Sequence, residues 1–476
     1  MKFLSLPLSL FSFFTLVFLT YTSLHGLSFP DEGYIVNTAQ RILNYQVLYR
    51  DFDFVYTPLT AWLTALGFTI FGESILVERL FHLGLALVSI LYLIKIGRLF
   101  TKNILLSFLP ALFFIAWGPS HINFMAPGIL VLEISIISLF YYLMGKKENN
   151  ARSFFITGIG ITLMFLTKQN FGAAFLLFCL CDIGISSNKK HIAVPIIKGF
   201  VMSMGIFFLY LLATNSLQSF IANMWVYSIE RIILKNNLHT PFEFWSPGGM
   251  GKLLLYGSPL FLSVLTLWKN KKQSIGFCLG IFVLINYLIG LRPETDYVHL
   301  SPLLGLNGLA ILPLLLQIKK AWQRYLLSLA SLILFIIGIW SALFFGYYRW
   351  NAPLITQNSF VSNPHVRIWT DSSTEKLITD LTHKLDAYGE DKKIFINYYA
   401  PMFYFFLGRA NPTRYDYTGL FMNYQAQAIQ DLNNKEVEIV IATSESKSYQ
   451  TALQEFINKN YRQDKKIQDH YIFVKN

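Results

Sequence analysis

Charge and cysteine are both scarce in this chain. Only 14% of its residues are charged, against 54% hydrophobic and a mean hydropathy of +0.45, which excludes an ordinary water-soluble domain over most of the length. The three cysteines, Cys179, Cys181 and Cys278, all fall in apolar stretches, so neither a disulfide framework nor a zinc knuckle is expected. There is no internal repeat of the kind expected in many transporters, and no low-complexity linker. No small-x-small cleavage site closes the apolar run that follows Lys2, so that run is expected to persist as a first helix and not to be removed as a secretory signal.

What the chain does have is long apolar runs. A spanning helix needs about 20 mostly apolar residues, because backbone N–H and C=O groups in hydrocarbon can only satisfy one another. Candidate spans are 3–24, 76–97, 104–117, 127–144, 153–167, 171–186, 192–214, 251–268, 274–291, 300–317 and 325–346. The expected fold class is therefore a polytopic α-helical membrane protein of about eleven transmembrane helices. Those at 104–117, 153–167 and 171–186 are short for a full crossing.

Basic residues give an orientation. Lys95/Arg98/Lys102, Lys146/Lys147/Arg152, Lys189/Lys190, Lys269/Lys271/Lys272 and Lys319/Lys320/Arg324 occupy every second turn, which places those turns and the N-terminus in the cytoplasm. The opposite turns carry Asp31, Glu32, Asp51, Asp53, Glu73, Glu230, Glu243, Glu294 and Asp296. The first loop 25–75, the loop 215–250 and the tail after 346 are then extracytoplasmic. On this reading the net charge of +12 reflects membrane anchoring and calls for no nucleic-acid partner.

Two domains are expected: a membrane domain 1–346, with its large first outer loop, and an extracytoplasmic α/β domain 347–476. In the latter, Ser372-Ser373-Thr374-Glu375 reads as a capping box opening a helix to about Tyr388. A strand Lys393–Tyr399, a helix Tyr424–Asn433, a strand Glu436–Ala442, a helix Ser448–Asn458 and a strand Gln468–Val474 complete the alternation.

The first outer loop holds the chemistry. Asp31 and Glu32 stand side by side in Ser28-Phe29-Pro30-Asp31-Glu32-Gly33-Tyr34, where the chain leaves its first apolar run. Ile35, Ala39, Ile42 and Leu43 then repeat on one side, which predicts an amphipathic helix lying along the membrane interface. Both acids would occupy its first turn, where the positive helix end favours ionised carboxylates and suits a base or a metal ligand. The bland alternative is a solvated loop start with Asp31 as a cap. Tyr49-Arg50-Asp51-Phe52 follows, then Tyr56-Thr57-Pro58-Leu59 opening a second surface or re-entrant helix to Phe71-Gly72, and then Glu78-Arg79.

That ordered series resembles the first outer loop of the C-type (GT-C) glycosyltransferases, in the branch with protein O-mannosyltransferases, lipid A aminoarabinose transferases and related bacterial polyprenyl-phosphate-sugar transferases. Thr167-Lys168-Gln169-Asn170-Phe171-Gly172 and Gly408-Arg409-Ala410-Asn411-Pro412-Thr413-Arg414-Tyr415-Asp416 are similar to further segments of bacterial members. The resemblance implies inverting sugar transfer from a polyprenyl-phosphate donor to a lipid, glycan or protein acceptor at the outer face of the cell membrane. It makes Asp31 the candidate general base, and a possible ligand of a divalent metal ion, with Glu32 as its neighbour. Lys168, Arg292, His299 and Arg79 are the candidate cations for the donor phosphate. Tyr34, Asp51 and Tyr56 are candidates for the substrate loop. Relatives often carry an acid where this chain has His121 and Asn123, which weighs against a second acidic metal ligand. Lys168 could instead snorkel to the headgroups, and Arg409, Arg414 and Asp416 read better as structural ties than as acceptor contacts. In another class, the alternative is a transporter or flippase of lipid-linked sugars.

Overall fold

The computed structural model describes residues 2–226, 249–272, 274–291, 297–345, 352–416, 424–443 and 451–476. They fall into two compact units, one within Met1–Ser23, His82–Phe208 and Asn237–Tyr348, the other within Leu24–Phe81, Leu209–Asn236 and Arg349–Asn476. The tail thus has company: the first outer loop belongs to the same unit.

The first unit is helical. Among the described residues of the whole chain, six helices are long and apolar enough to cross a membrane: Leu6–Ser23, Ile75–Phe100, Pro127–Glu148, Lys189–Ala213, His299–Gln317 and Ala321–Phe344. Helices Ile104–Trp117, Ala151–Phe165, Gln169–Ile185 and Ile275–Gly290 match four further expected spans but are shorter. At about 1.5 Å per residue, 15 residues reach only about 22 Å, less than a hydrocarbon core of about 30 Å. Helices Ala151–Phe165 and Lys189–Ala213 approach through glycine. A methyl group on Gly158 would lie 2.1 Å from the Ile196 carbonyl oxygen, and one on Gly199 would lie 2.2 Å from that of Phe155. Only a residue without Cβ allows backbones so close.

Sequence reading misses a buried polar cluster in this unit. Asp182, fully buried on Gln169–Ile185, accepts from Lys146 Nζ at 2.9 and 2.7 Å, from Tyr142 Oη at 2.6 Å and from Cys278 Sγ at 3.1 Å. It joins three helices. Along the sequence, Lys146 reads only as a topology marker. Glu133, which stands out by its place in an apolar span, has His82 Nε2 at 3.2 Å, with both side chains buried. That contact supplies the partner its burial requires.

In the second unit, strands β1 (Ser359–Phe360) and β2 (Trp369–Thr370) form a small antiparallel pair, and β3 (Ile394–Asn397), β4 (Ile439–Thr443), β5 (Tyr461–Ile467) and β6 (His470–Lys475) form a sheet in the order β3-β4-β6-β5. β3 and β4 are parallel, with Ile394 opposite Ile439, and the other pairs are antiparallel. Alternation splits the side chains between two cores. On one face, Ile394, Ile396, Ile439, Ile441 and Ile472 pack with Leu377, Ile378 and Leu381 of helix Ser372–Asp386, and this core runs on into Val36, Ala39, Ala65 and Phe68 of the first outer loop. The other face packs Phe395, Val440 and Phe473 against helices Tyr424–Asn434 and Thr451–Asn460.

Every expected element of the tail is present, with shifted ends. The helix cap is Asp371, whose Oδ1 accepts from Thr374 N at 3.0 Å, in place of Ser372. β5 was not expected. Tyr461-Arg462-Gln463-Asp464-Lys465-Lys466-Ile467 buries only its two ends, and such a charged strand suits a sheet edge but leaves no hydrophobic alternation to read.

Candidate functional site

The helix Asp31–Leu43 forms as expected, beginning at the acid pair. Its setting differs from the expectation: Glu32 through Arg41 are all buried, so no polar face lies along an interface. The reason is tertiary. Val36 and Ala39 join the sheet core, while Gln40 donates to Glu73 at 3.2 Å and Arg41 to Asp416 at 2.8 Å.

Glu32 and Arg79 bind each other. Arg79 Nη2 donates to Glu32 Oε2 at 2.8 Å, Arg79 Nε donates to Oε1, and the guanidinium also donates to the carbonyls of His25 at 3.1 Å and Gly26 at 2.7 Å. Both side chains are fully buried. The expected donor-phosphate contact at Arg79 is therefore revised: its fork is spent on closing the turn before the helix. Glu32 also receives the Ser28 amide at 3.2 Å, so this second acid holds the loop in shape.

Asp31 differs from its neighbour. It is half-buried at the helix start and its Oδ1 accepts from Tyr399 Oη at 2.9 Å. Gly33, two residues further in, has the tail backbone against it, and a methyl group there would lie 2.4 Å from Met402 N.

The remaining loop residues are arranged around a second knot. Arg414 Nε donates to Asp53 Oδ1 at 3.0 Å and its Nη2 to the Tyr49 carbonyl at 2.6 Å; Asn223 Nδ2 also donates to Asp53 Oδ1 at 3.0 Å. Arg41 Nη1 donates to Asp416 Oδ1 at 2.8 Å. Arg409 donates to the Gly389 carbonyl at 3.0 Å. Arg414 and Asp416 thus fasten the tail to the outer loop. Tyr34 is buried, accepts from Val55 N at 2.9 Å and lies among Phe54 and Tyr56; burial raises its pKa well above the ordinary phenol range, so it remains a neutral phenol. Tyr56 supplies its carbonyl to Tyr49 Oη at 2.8 Å. Asp51 is near the surface, hydrogen-bonded to Arg50 at 2.8 Å and to Val47 N at 2.7 Å, and the Arg50 guanidinium holds it below the usual carboxylate range. These contacts make Asp51 part of a turn.

Lys168 and His299 lie in the first unit. Lys168 is half-buried just before helix Gln169–Ile185, its Nζ 5.5 Å from the Phe171 ring centroid. Arg292, with Glu230, Glu243, Glu294 and Asp296, lies outside the described residues. His121 Nε2 is 3.1 Å from the Gly338 carbonyl, and Asn123 donates to the Thr22 carbonyl, so both serve helix packing. Among the described residues no three His, Cys, Asp or Glu side chains gather as a metal set, and Glu32 is committed to Arg79. The acid pair does not fit a divalent ion held by protein ligands alone.

With this geometry in hand, comparison with known proteins shows what the fold is similar to. The fold matches ArnT from Cupriavidus metallidurans, solved bound to undecaprenyl phosphate, with a TM-score of 0.62 and 12% identity over 98% of this chain and 97% of that one. The same protein in the apo state matches with a TM-score of 0.65 and 11% identity over 100% of this chain and 98% of that one. The fold is thus that of ArnT. Residues 56–202 match the family described as dolichyl-phosphate-mannose-protein mannosyltransferase, so this stretch is similar in sequence to that family. No curated protein matches the sequence. The transporter alternative finds no support in these comparisons.

Proposed function

We propose that this protein is an inverting glycosyltransferase that moves a sugar from a polyprenyl-phosphate donor to an acceptor at the outer face of the cell membrane, with Asp31 as general base. The observation that carries the reading is the contrast within the acid pair: Glu32 is sealed against Arg79, while Asp31 is half-buried at the helix start. In one displacement, the acceptor hydroxyl oxygen bonds to the anomeric carbon as the bond from that carbon to phosphate oxygen breaks. Asp31 takes the hydroxyl proton, and polyprenyl phosphate leaves with the electron pair. Lys168, Arg292 and His299 are assigned to the charge that grows on the phosphate, because fixed cations in a low-dielectric site stabilise it best. Glu32 and Arg79 hold the acid turn in shape.

Support comes from the fold and from the family match over 56–202. ArnT was solved with undecaprenyl phosphate bound, and a lipid phosphate of that chemistry suits a membrane enzyme with half-buried cations. The cytoplasmic N-terminus and extracytoplasmic tail follow from the basic turns.

The test is a deletion strain whose envelope lipids, glycans and proteins are compared with the parent by mass spectrometry. Loss of one hexose- or pentose-modified component is expected. Complementation with Asp31→Asn should restore less than about a hundredth of it, the scale of a lost general base, at undiminished membrane abundance. Full restoration by Asp31→Asn would remove Asp31 from the mechanism.

A further inference from the structure

We infer that Tyr399, a residue of the C-terminal domain, is the positioning residue for Asp31, so that the tail supplies part of the catalytic apparatus. This rests on Asp31 being the base. Tyr399 stands just past the end of β3 and donates its phenol to Asp31 Oδ1 at 2.9 Å, across a sequence separation of 368 residues.

The turn that carries it is anchored on every side. Before it, Tyr398 is half-buried, with its ring 5.3 Å from Phe403 and 5.4 Å from His470. After it, Ala400 N donates to the Tyr398 carbonyl at 2.9 Å, and Met402 N donates to the Phe29 carbonyl at 3.4 Å, two residues ahead of Asp31. The Phe29 ring lies 5.2 Å from Phe403. Gly33 lets the tail backbone reach the first turn of the helix without a side chain between them. Acid and phenol are therefore held by two segments that clasp each other.

The terminal torsion of a free aspartate is broad, and a fixed donor on one oxygen narrows it, so that the other oxygen is held ready for an acceptor hydroxyl. Tyr399 acts through Asp31, the group to which its hydroxyl donates.

The experiment uses the full-length protein in the deletion strain, complemented with wild type, Asp31→Asn, Tyr399→Phe and, as a control for packing, Tyr398→Phe. The probe is the sugar-modified envelope component that the deletion removes, measured by mass spectrometry and divided by the membrane abundance of each variant. Tyr399→Phe keeps the ring and should lower the product per copy of protein about tenfold, the scale of one hydrogen bond to a charged group, with abundance and melting temperature unchanged. Tyr398→Phe should leave all three as in wild type. If Asp31→Asn abolishes the product while Tyr399→Phe behaves as wild type, or loses product only in proportion to abundance, the positioning role is overturned and Asp31 stands. If Asp31→Asn behaves as wild type, the reading of Asp31 fails and Tyr399 falls with it.

Discussion

Arg79 grips both carboxylate oxygens of Glu32 in a fully buried pair that ties the start of the first outer loop to the helix that follows it, Ile75–Phe100. A charge pair sealed in this way adds little net stability while both partners remain, yet removal of one leaves the other charged and stranded. Arg79→Leu should therefore cost about 3 to 5 kcal/mol, seen as a large fall in melting temperature of the detergent-purified protein. Glu32→Gln keeps a hydrogen-bonding partner for Arg79 and should cost less. Equal melting of Arg79→Leu and wild type would show that the loop is held some other way.

Gly33 sets how closely the acid turn meets the tail. A methyl group at this position would stand only 2.4 Å from Met402 N, so Gly33→Ala must push the helix start away from the tail turn. A cost of about 1 to 3 kcal/mol is expected, as for other overpacked sites. Limited proteolysis of the tail should detect it as faster cleavage, and sugar transfer should fall with it.

Asp182 holds Lys146, Tyr142 and Cys278 together inside the helical unit. Asp182→Ala strands Lys146 and removes an acceptor for the other two groups. A loss of about 3 to 5 kcal/mol is expected, with reduced abundance in membranes. Cys278→Ser, which keeps a donor to the carboxylate, should be tolerated; equal damage from both would mean the cluster is valued for packing alone.

His470 gives the outer unit a pH response. Burial against Tyr398 and Phe403 lowers its pKa from the ordinary 6.5 to about 4. Between those values the unfolded chain binds a proton that the folded chain refuses, so stability is full above about pH 6.5 and falls as the pH drops toward 4. The effect should be on the order of 2 kcal/mol after allowance for partial exposure. Hydrogen exchange of β6 compared at neutral pH and near the lowered pKa should reveal it, and His470→Phe should flatten the difference.

Much of this was legible in the order of the residues. Runs of apolar residues announce helices because hydrocarbon leaves the backbone no other partner, and most expected spans coincide with observed helices even where their lengths fall short of a full crossing, while 251–268 falls on two, Gly249–Tyr256 and Ser258–Lys269. The tail's alternation survived with ends moved by a few residues, since local periodicity records which face is buried. β5 escaped because an edge strand made mostly of charged residues has no such face. The acid pair was visible from its place in the loop; the unequal use of its two members was not.

Sequence alone determined the membrane character of the chain, the positions of its helices and the presence of two acids at the start of the outer loop, all properties of neighbours along the chain. Tertiary structure decided that Glu32 belongs to Arg79, 47 residues away, that Arg41 belongs to Asp416, 375 residues away, and that Asp31 meets Tyr399. Pairings at such separations leave no periodic trace, because they are fixed by how two distant segments pack and by the cost of burying a charge without its partner.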